Sequence, residues 1–317
     1  MKPTVSRLLY LFIILCGSLT ASSENIILSH EGTARFFDVT EMDEVLKAAA
    51  PNDTIFLPDT PMPGFTVTKD FTIMGSGENT IILGNITISP ENTTPWKNVL
   101  LDGITVQGDI DCDKPTDGLH IRRTTCRNFQ NGYSTDLNNT LLENCHIKNR
   151  LYFSYRAKNC QIINCVIEGE VTGDFEFNNI RFLNCTIKGQ NRGYYKFYAI
   201  NSIIRNEYGD IFDFPTESYL ENCLILHSGD TLYADGYVKN TTAADRDSFG
   251  EVTKENLLQK GYLGTDGTVI GHWGGRIGFS LEPTLPYIKE KQITLDENGG
   301  ELKVNVTLGG IEEGSVL

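Results

Sequence analysis

Apolar and polar residues alternate in short runs along most of this chain, and the runs return at a nearly fixed interval. With Cys145 as the origin of one unit, the equivalents are Cys165, Cys185, Ser202 and Cys223, at intervals of 20, 20, 17 and 21 residues. Two places later stand Ile147, Ile167, Ile187, Ile204 and Ile225; three places earlier stand Leu142, Ile162, Phe182, Ala199 and Leu220. One place earlier the residue is always asparagine: Asn144, Asn164, Asn184, Asn201 and Asn222. Upstream, Asn85, Ile86 and Ile88 fit the same frame, as do Ile104 and Val106, and Cys126 is expected to hold the unit between. Period-two alternation marks strands, but 20 residues exceed an ordinary strand, so each unit holds two or three strands joined by bends. Stacking the units brings equivalent positions together. The predicted fold is all-β: a right-handed parallel β-helix, a solenoid of about nine rungs and about 43 Å in length.

The second half of each unit carries its own pattern. Ten places after the origin come Tyr155, Phe175, Tyr195, Phe212 and Tyr233, and twelve places after come Ala157, Phe177, Phe197 and Phe214. Arg156, Glu176, Lys196 and Asp213 lie between them, so alternation predicts aromatic side chains inside and charges outside. One place after the origin, His146, Val166, Thr186, Ile203 and Leu224 point outward and become apolar towards the C-terminal end. An apolar outer strip predicts a cover, and the chain's own C-terminal segment is the nearest candidate.

The ends break the period. Thr40 and Asp43 stand at capping-box spacing before Val45, Leu46 and three alanines, which predicts a short helix over the N-terminal end of the solenoid. Near the other end, Ile293 and Leu295 face Leu302, Val304, Val306 and Leu308 across Asn298-Gly299, a β-hairpin pattern. The expected division is a signal peptide over 1–23, the capped β-helix over 24–282 and a hairpin segment over 283–317.

"VLKAAAPNDTIFLP", "DFTIMGSGENTIILGN" and the Asn-Cys-x-Ile rungs resemble the opening coils and repeats of the pectin-lyase-like superfamily of right-handed β-helix proteins. "GTDGTVIGHWGG" is similar to the terminal segment of secreted bacterial β-helix proteins of unassigned activity. The resemblance spans about residues 35 to 290 and implies the fold. It implies little chemistry, because that scaffold carries lyases, hydrolases, esterases, binding proteins and adhesins. The paired aspartates and Gly-His-Gly of polygalacturonases have no counterpart in the sequence, nor do the Arg-x-Pro-x-x-Arg of pectate lyases and the motifs of pectin esterases.

Lys2 and Arg7 precede an apolar run from Leu8 to Leu15, too short to span a bilayer, and small residues follow at Ala21 to Ser23. This predicts export, with a secreted, periplasmic or cell-surface location; Leu15 before Cys16 argues against a lipid anchor there. No later run has the length of a transmembrane helix. Loss of Lys2 and Arg7 would move the net charge from −14 to −16, which excludes nucleic acid as an expected partner.

Five groups carry candidate chemistry. Cys145, Cys165, Cys185 and Cys223 recur one rung apart, about 4.8 Å, too far for good disulfide geometry, and are expected as a buried thiol column. The asparagines before them are expected to stack their side-chain amides as a structural ladder. Asp109, Asp111, Asp113 and Asp117 resemble half of a calcium loop, the one cofactor the sequence suggests. His120, Arg122 and Arg123 supply a base and cations of the kind a uronate β-elimination needs, the weak catalytic set of the chain. Tyr152, Tyr194 and Tyr198 fall off the core register and are candidates for stacking on sugar. The expected function is polysaccharide binding rather than cleavage; a lyase or glycosidase acting on a uronate-containing glycan and a protein-binding adhesin are the alternatives.

Overall fold

The computed structural model describes residues 25–91, 99–173, 179–189, 198–205, 218–227, 237–276 and 278–282 in full, and the backbone of 212–214, 232–234, 287–295 and 302–309. The expected signal peptide, Cys16, Tyr194, Phe175, Phe177, Tyr195, Phe197 and the expected Asn298-Gly299 turn lie outside the described residues.

Short parallel strands stack into a β-solenoid of about eight turns, close to the nine rungs the repeat predicts. One wall is a 12-stranded sheet. It opens with the antiparallel hairpin Asn25–His30 and Thr33–Asp38, then runs parallel from Thr54–Phe56 through Leu119–Arg122, Leu141–Glu143, Gln161–Ile163, Arg181–Leu183, Tyr198–Ile200 and Tyr219–Glu221 to Tyr237–Lys239. A second wall, of 13 strands, runs from Phe65–Val67 to Thr242–Asp245 and contains the long strands Thr125–Asn131 and His146–Phe153. Thr116–Asp117, Leu137–Asn138 and Ala157–Lys158 form a short third wall.

The bends explain why asparagine recurs. Asn144, Asn164, Asn184, Asn201 and Asn222 all have positive φ, from 49° to 54°. A second row, Asn139, Asn159 and Asn179, adopts the same conformation five places earlier, with φ of 51°, 54° and 63°. The strands Leu141–Glu143, Gln161–Ile163 and Arg181–Leu183 are therefore each bracketed by two left-handed residues. That conformation costs most L-residues about 1–2 kcal/mol, and asparagine tolerates it because its short polar side chain bonds locally.

The expected amide stack is not what holds the first row. Asn144 Oδ1 and Asn184 Oδ1 are buried without a hydrogen-bond partner, while Asn164 and Asn201 donate to the segment that crosses them. Amide stacking occurs instead in the second row, where Asn179 Nδ2 donates to Asn159 Oδ1 at 2.9 Å. Backbone bonds carry the first row from rung to rung: Asn144 N donates to Ile163 O and Asn164 N to Leu183 O, both at 3.0 Å.

The cysteine column sits inside. Cys145, Cys165, Cys185 and Cys223 are at most 2% exposed, and all seven cysteines among the described residues are free and buried. Their thiols donate to carbonyls of the preceding rung, Cys165 Sγ to Leu142 O at 3.5 Å and Cys185 Sγ to Ile162 O at 3.2 Å. Ser202 fits the same column because its hydroxyl accepts from Cys185 N at 3.1 Å. Burial pushes the Cys160 and Cys223 thiols up to about 12, so these groups are poor nucleophiles.

Three expectations shift in register. Cys126 pairs with Ile147 and so belongs to the isoleucine column, which leaves Thr124 at the origin of that rung. Ile82, paired with Val106, occupies the place expected for Ile88, whereas Ile86 and Ile88 align with Ile110 and Cys112 on the following strand segment. Both strand segments carry the same apolar alternation, so the pattern alone could not separate them. The N-terminal cap is also two residues early: Asp38 and Glu41 form the capping box of a 3-10 turn that leads into the helix Met42–Ala48. Val45 and Leu46 of that helix close the core end, as expected.

Tyr155 corrects the aromatic pattern, being 41% exposed where an inward ring was expected; Ala157 beside it is buried. Phe71, Phe129, Phe153 and Phe182 are the rings that fill the core. The C-terminal strands Tyr287–Leu295 and Leu302–Gly309 pair antiparallel, in the hairpin the sequence predicts.

Candidate functional site

The chain's own C-terminal segment covers the apolar strip. Helices Arg246–Phe249 and Lys254–Gln259 and the strap that follows bury Phe249, Leu257, Val269 and Ile270 against Ile203, Leu224 and Leu226 of the second sheet. The strap then runs back across the asparagine row. Thr265 N donates to Asn201 Oδ1 at 3.0 Å, Gly271 N to Asn201 O at 2.7 Å, and Asn164 Nδ2 to Gly274 O at 3.2 Å. Gly271 has φ of 80°, and a Cβ there would stand 2.7 Å from Ile203 Cδ1. Further on, residues 279–282 and the loop 76–79 line a cleft of about 420 Å³.

His272 belongs to this strap and not to a catalytic set. The Thr186 hydroxyl accepts from His272 N at 3.3 Å and lies 2.8 Å from Nδ1, which it can serve as donor only while Nδ1 is unprotonated. Burial lowers the imidazole to about 4, with Lys188 and His146 adding to the effect. The ring is neutral at ordinary pH.

His120, Arg122 and Arg123 do come together, at the outer side of the first sheet, but each is committed to an acid. Arg122 Nε and Nη2 donate to Asp102 Oδ2 at 2.9 and 2.8 Å, and Arg123 donates to the same oxygen. Asp102 is 1% exposed and Arg123 3% exposed, so this is a buried ion cluster. Arg123 takes the place of asparagine in the bend, at φ of 47°, and burial holds its guanidinium below the ordinary arginine range despite Asp102. His120 Nε2 lies 3.3 Å from Glu143 Oε2, and that contact holds Glu143 below the usual carboxylate range. Asp102, Arg122 and Glu143 are paired on successive strands, a column that lining up the repeats one place before the asparagine would have shown.

The four aspartates do not form a calcium loop. Asp109, Asp111 and Asp113 flank and occupy the strand Ile110–Cys112, alternating with Ile110 and Cys112, whose side chains face the core. Asp117 lies on the third wall, where Asn139 Nδ2 donates to it at 2.6 Å. Among the described residues no group of three or more His, Cys, Asp or Glu side chains is placed to hold a metal ion.

Asp109 and Asp111 belong instead to a polar strip across four rungs of the second sheet. Arg127 forms a two-pronged pair with Asp109 at 2.9 and 3.0 Å, and Asn128 Nδ2 donates to the same carboxylate at 2.8 Å. Gln130 Nε2 donates to Asp111 Oδ1 at 2.6 Å and Asn85 Nδ2 to its Oδ2 at 3.2 Å. Asp111, Gln130 and Tyr152 are direct neighbours on consecutive strands. Arg150 donates to Gln130 Oε1 and lies over the Tyr152 ring, with 5.3 Å from the guanidinium carbon to the ring centre. Beyond the strand ends, Tyr133 and Tyr155 meet edge to face at 5.3 Å and are 62% and 41% exposed. Burial, followed by Asp109 and Asp113, raises the Asp111 carboxyl above its ordinary range against its two amide bonds.

Tyr198 stands on the other broad wall. It stacks on Tyr219 at 4.6 Å, Tyr219 stacks on Tyr237 at 4.7 Å, and Arg181 caps the column at 5.0 Å from the Tyr198 ring. The sequence places Tyr152 and Tyr198 in one candidate set; the structure puts them on different sheets. No protein-family model, no curated protein and no solved structure matches the chain.

Proposed function

We propose that the protein is an exported β-helix that binds polysaccharide along the open polar strip of its second sheet. One observation carries the reading: Asp111, Gln130, Arg150 and Tyr152, with the Tyr133–Tyr155 pair beside them, present donors, acceptors and ring surface on consecutive rungs. Sugar chains offer the complementary set, hydroxyls for polar side chains and C–H faces for rings, at a repeat comparable to the rung spacing of about 4.8 Å. The leader sequence and the resemblance to the pectin-lyase-like superfamily support export and a glycan partner.

Glycan-array screening followed by calorimetry tests it. Tyr152→Ala and Gln130→Ala are each expected to weaken the best glycan by about tenfold, the loss of one good contact of roughly 1.4 kcal/mol, while His120→Ala leaves it unchanged. Absence of glycan binding, or binding indifferent to both substitutions, overturns the reading.

Glycoside hydrolysis at the same strip is favoured by one further observation, the raised carboxyl of Asp111 between Asp109 and Asp113. The exposed Asp113, two residues further along the chain, would be its carboxylate partner. Reducing-end release abolished by Asp111→Asn would establish it. The lyase reading at His120, Arg122 and Arg123 draws no support from a geometry that gives both arginines to Asp102 and the imidazole to Glu143.

A further inference from the structure

Among the described residues, the first sheet ends on two strands that have nothing beyond them. At its N-terminal edge lies Thr33–Asp38 and at its C-terminal edge Tyr237–Lys239. Neither carries a proline or a bulge, the usual devices that stop one sheet from adding to another. Both edges expose apolar side chains: Phe36 is 45% exposed, Tyr237 51% and Val238 41%. Val238 pairs with Leu220, which is fully buried in the core, so its own exposure marks an end of the core that is left open among the described residues.

The two edges match. Asn25–His30 runs antiparallel to both Thr54–Phe56 and Thr33–Asp38, so Thr33–Asp38 has the same direction as every rung strand of the sheet. Phe36 shares an outward column with Ile27 and Phe56, and Phe37 lies on the inner side opposite Ile26. On the other edge Tyr237 and Lys239 are outward, continuing Tyr219 and Glu221, and Val238 is inward. A translation along the solenoid axis therefore sets Tyr237-Val238-Lys239 beside Phe36-Phe37-Asp38, parallel and in phase. Tyr237 would meet Phe36, Val238 would meet Phe37, and Lys239 would meet the exposed Asp38. The tyrosine column, capped by the Arg181 cation at one end, has a free ring face at Tyr237 that an aromatic side chain completes.

We propose that the C-terminal edge of the first sheet docks the N-terminal edge of a second copy of this chain, joining molecules head to tail. The contact uses two different surfaces, so it does not close on itself and extends into filaments as concentration rises. Main-chain bonding supplies the attraction, and the Phe36–Tyr237 and Asp38–Lys239 pairs set direction and register. This inference is independent of glycan binding, which uses the other sheet.

Sedimentation of the full mature chain over a wide concentration range, together with cysteine cross-linking, tests it. The expected result is a mass that grows with concentration past the dimer, and a shift of association to at least about tenfold higher concentration in Val238→Lys, whose side chain is already solvated in the monomer. Phe36→Cys combined with Tyr237→Cys is expected to give a ladder of covalent multimers with a short bis-maleimide, which spans the strand spacing of about 4.8 Å, while either variant alone gives none. A chain that stays monomeric at all concentrations overturns the proposal. So does dimer formation by Tyr237→Cys alone, which would mean a head-to-head contact. Association that appears only after deletion of residues 283–317 also overturns it, because the chain's own hairpin would then occupy the edge.

Discussion

Two strips of the second sheet lie side by side and have opposite fates. Along the corner, outward residues grow apolar towards the C-terminal end, and the chain folds back to cover Ile203, Leu224 and Leu226. On the earlier strands Ile110–Cys112, Thr125–Asn131 and His146–Phe153 of the same sheet, Asp111, Gln130 and Arg150 are polar, bonded in a chain and uncovered by any described segment. The backbone of the two strips is the same. What differs is one outward side chain per rung, which decides whether the wall is finished by the protein itself or left available to a partner.

The sharpest way to break the contrast is to charge the covered strip. Leu224→Asp places a carboxylate under the strap, fully buried in the wild type, and is expected to cost about 3–5 kcal/mol in denaturant unfolding. Thr87→Lys, on the open strip beside Asp111, is expected to change stability by no more than about 0.5 kcal/mol. Equal losses would mean that the two strips are not distinct. Next in size is Gly271→Val. A β-branched residue at φ of 80° and a Cβ forced onto Ile203 should cost about 2–4 kcal/mol, read as lost hydrogen-exchange protection over 264–276.

Acid should loosen the covered strip selectively. His272 is held at about 4 in the folded protein, below the ordinary value of 6.5, so the unfolded chain binds more protons between those values. Strap stability is therefore full above about pH 6.5 and falls by up to about 3 kcal/mol as the pH drops to 4. His272→Gln should flatten that dependence in a pH series of exchange or proteolysis at the strap. A smaller effect is expected on the open strip, where Arg127→Ala removes a pair whose arginine is 57% exposed and should cost only about 0.5–1 kcal/mol by thermal unfolding.

The fold was legible where the repeat is strict. Asn144, Cys145 and Ile147 recur on rung after rung, and their columns are those of the structure. It blurred at Ile86 and Cys126, where one rung holds two strand segments of identical alternation, and a period-two pattern contains nothing to tell them apart. The cover over Ile203 and Leu224 could be foreseen from their polarity. Which atoms hold it could not, because the strap reaches Asn164 and Thr186 from residues about a hundred positions away, with no periodicity to link them. The candidate site was half legible. Tyr152, Asp109 and Asp111 were singled out, yet a string of alternating aspartates reads as a loop until Ile110 and Cys112 are recognised as core.

The strap also works as a tape measure. It is pinned to Asn201 by Thr265, to Thr186 by His272 and to Asn164 by Gly274, and its far end lies beside the loop at 76–79. Solenoids can lengthen by duplicating a rung, since each rung touches only its neighbours. Here, a rung gained between residues 80 and 201 would move the strap's anchors apart by about 4.8 Å with no added chain to span the gap. Growth at the far side of Asn201 would leave the tape unstretched. The covered section is thus of set length, and any lineage of longer relatives is expected to have added its turns at the open end.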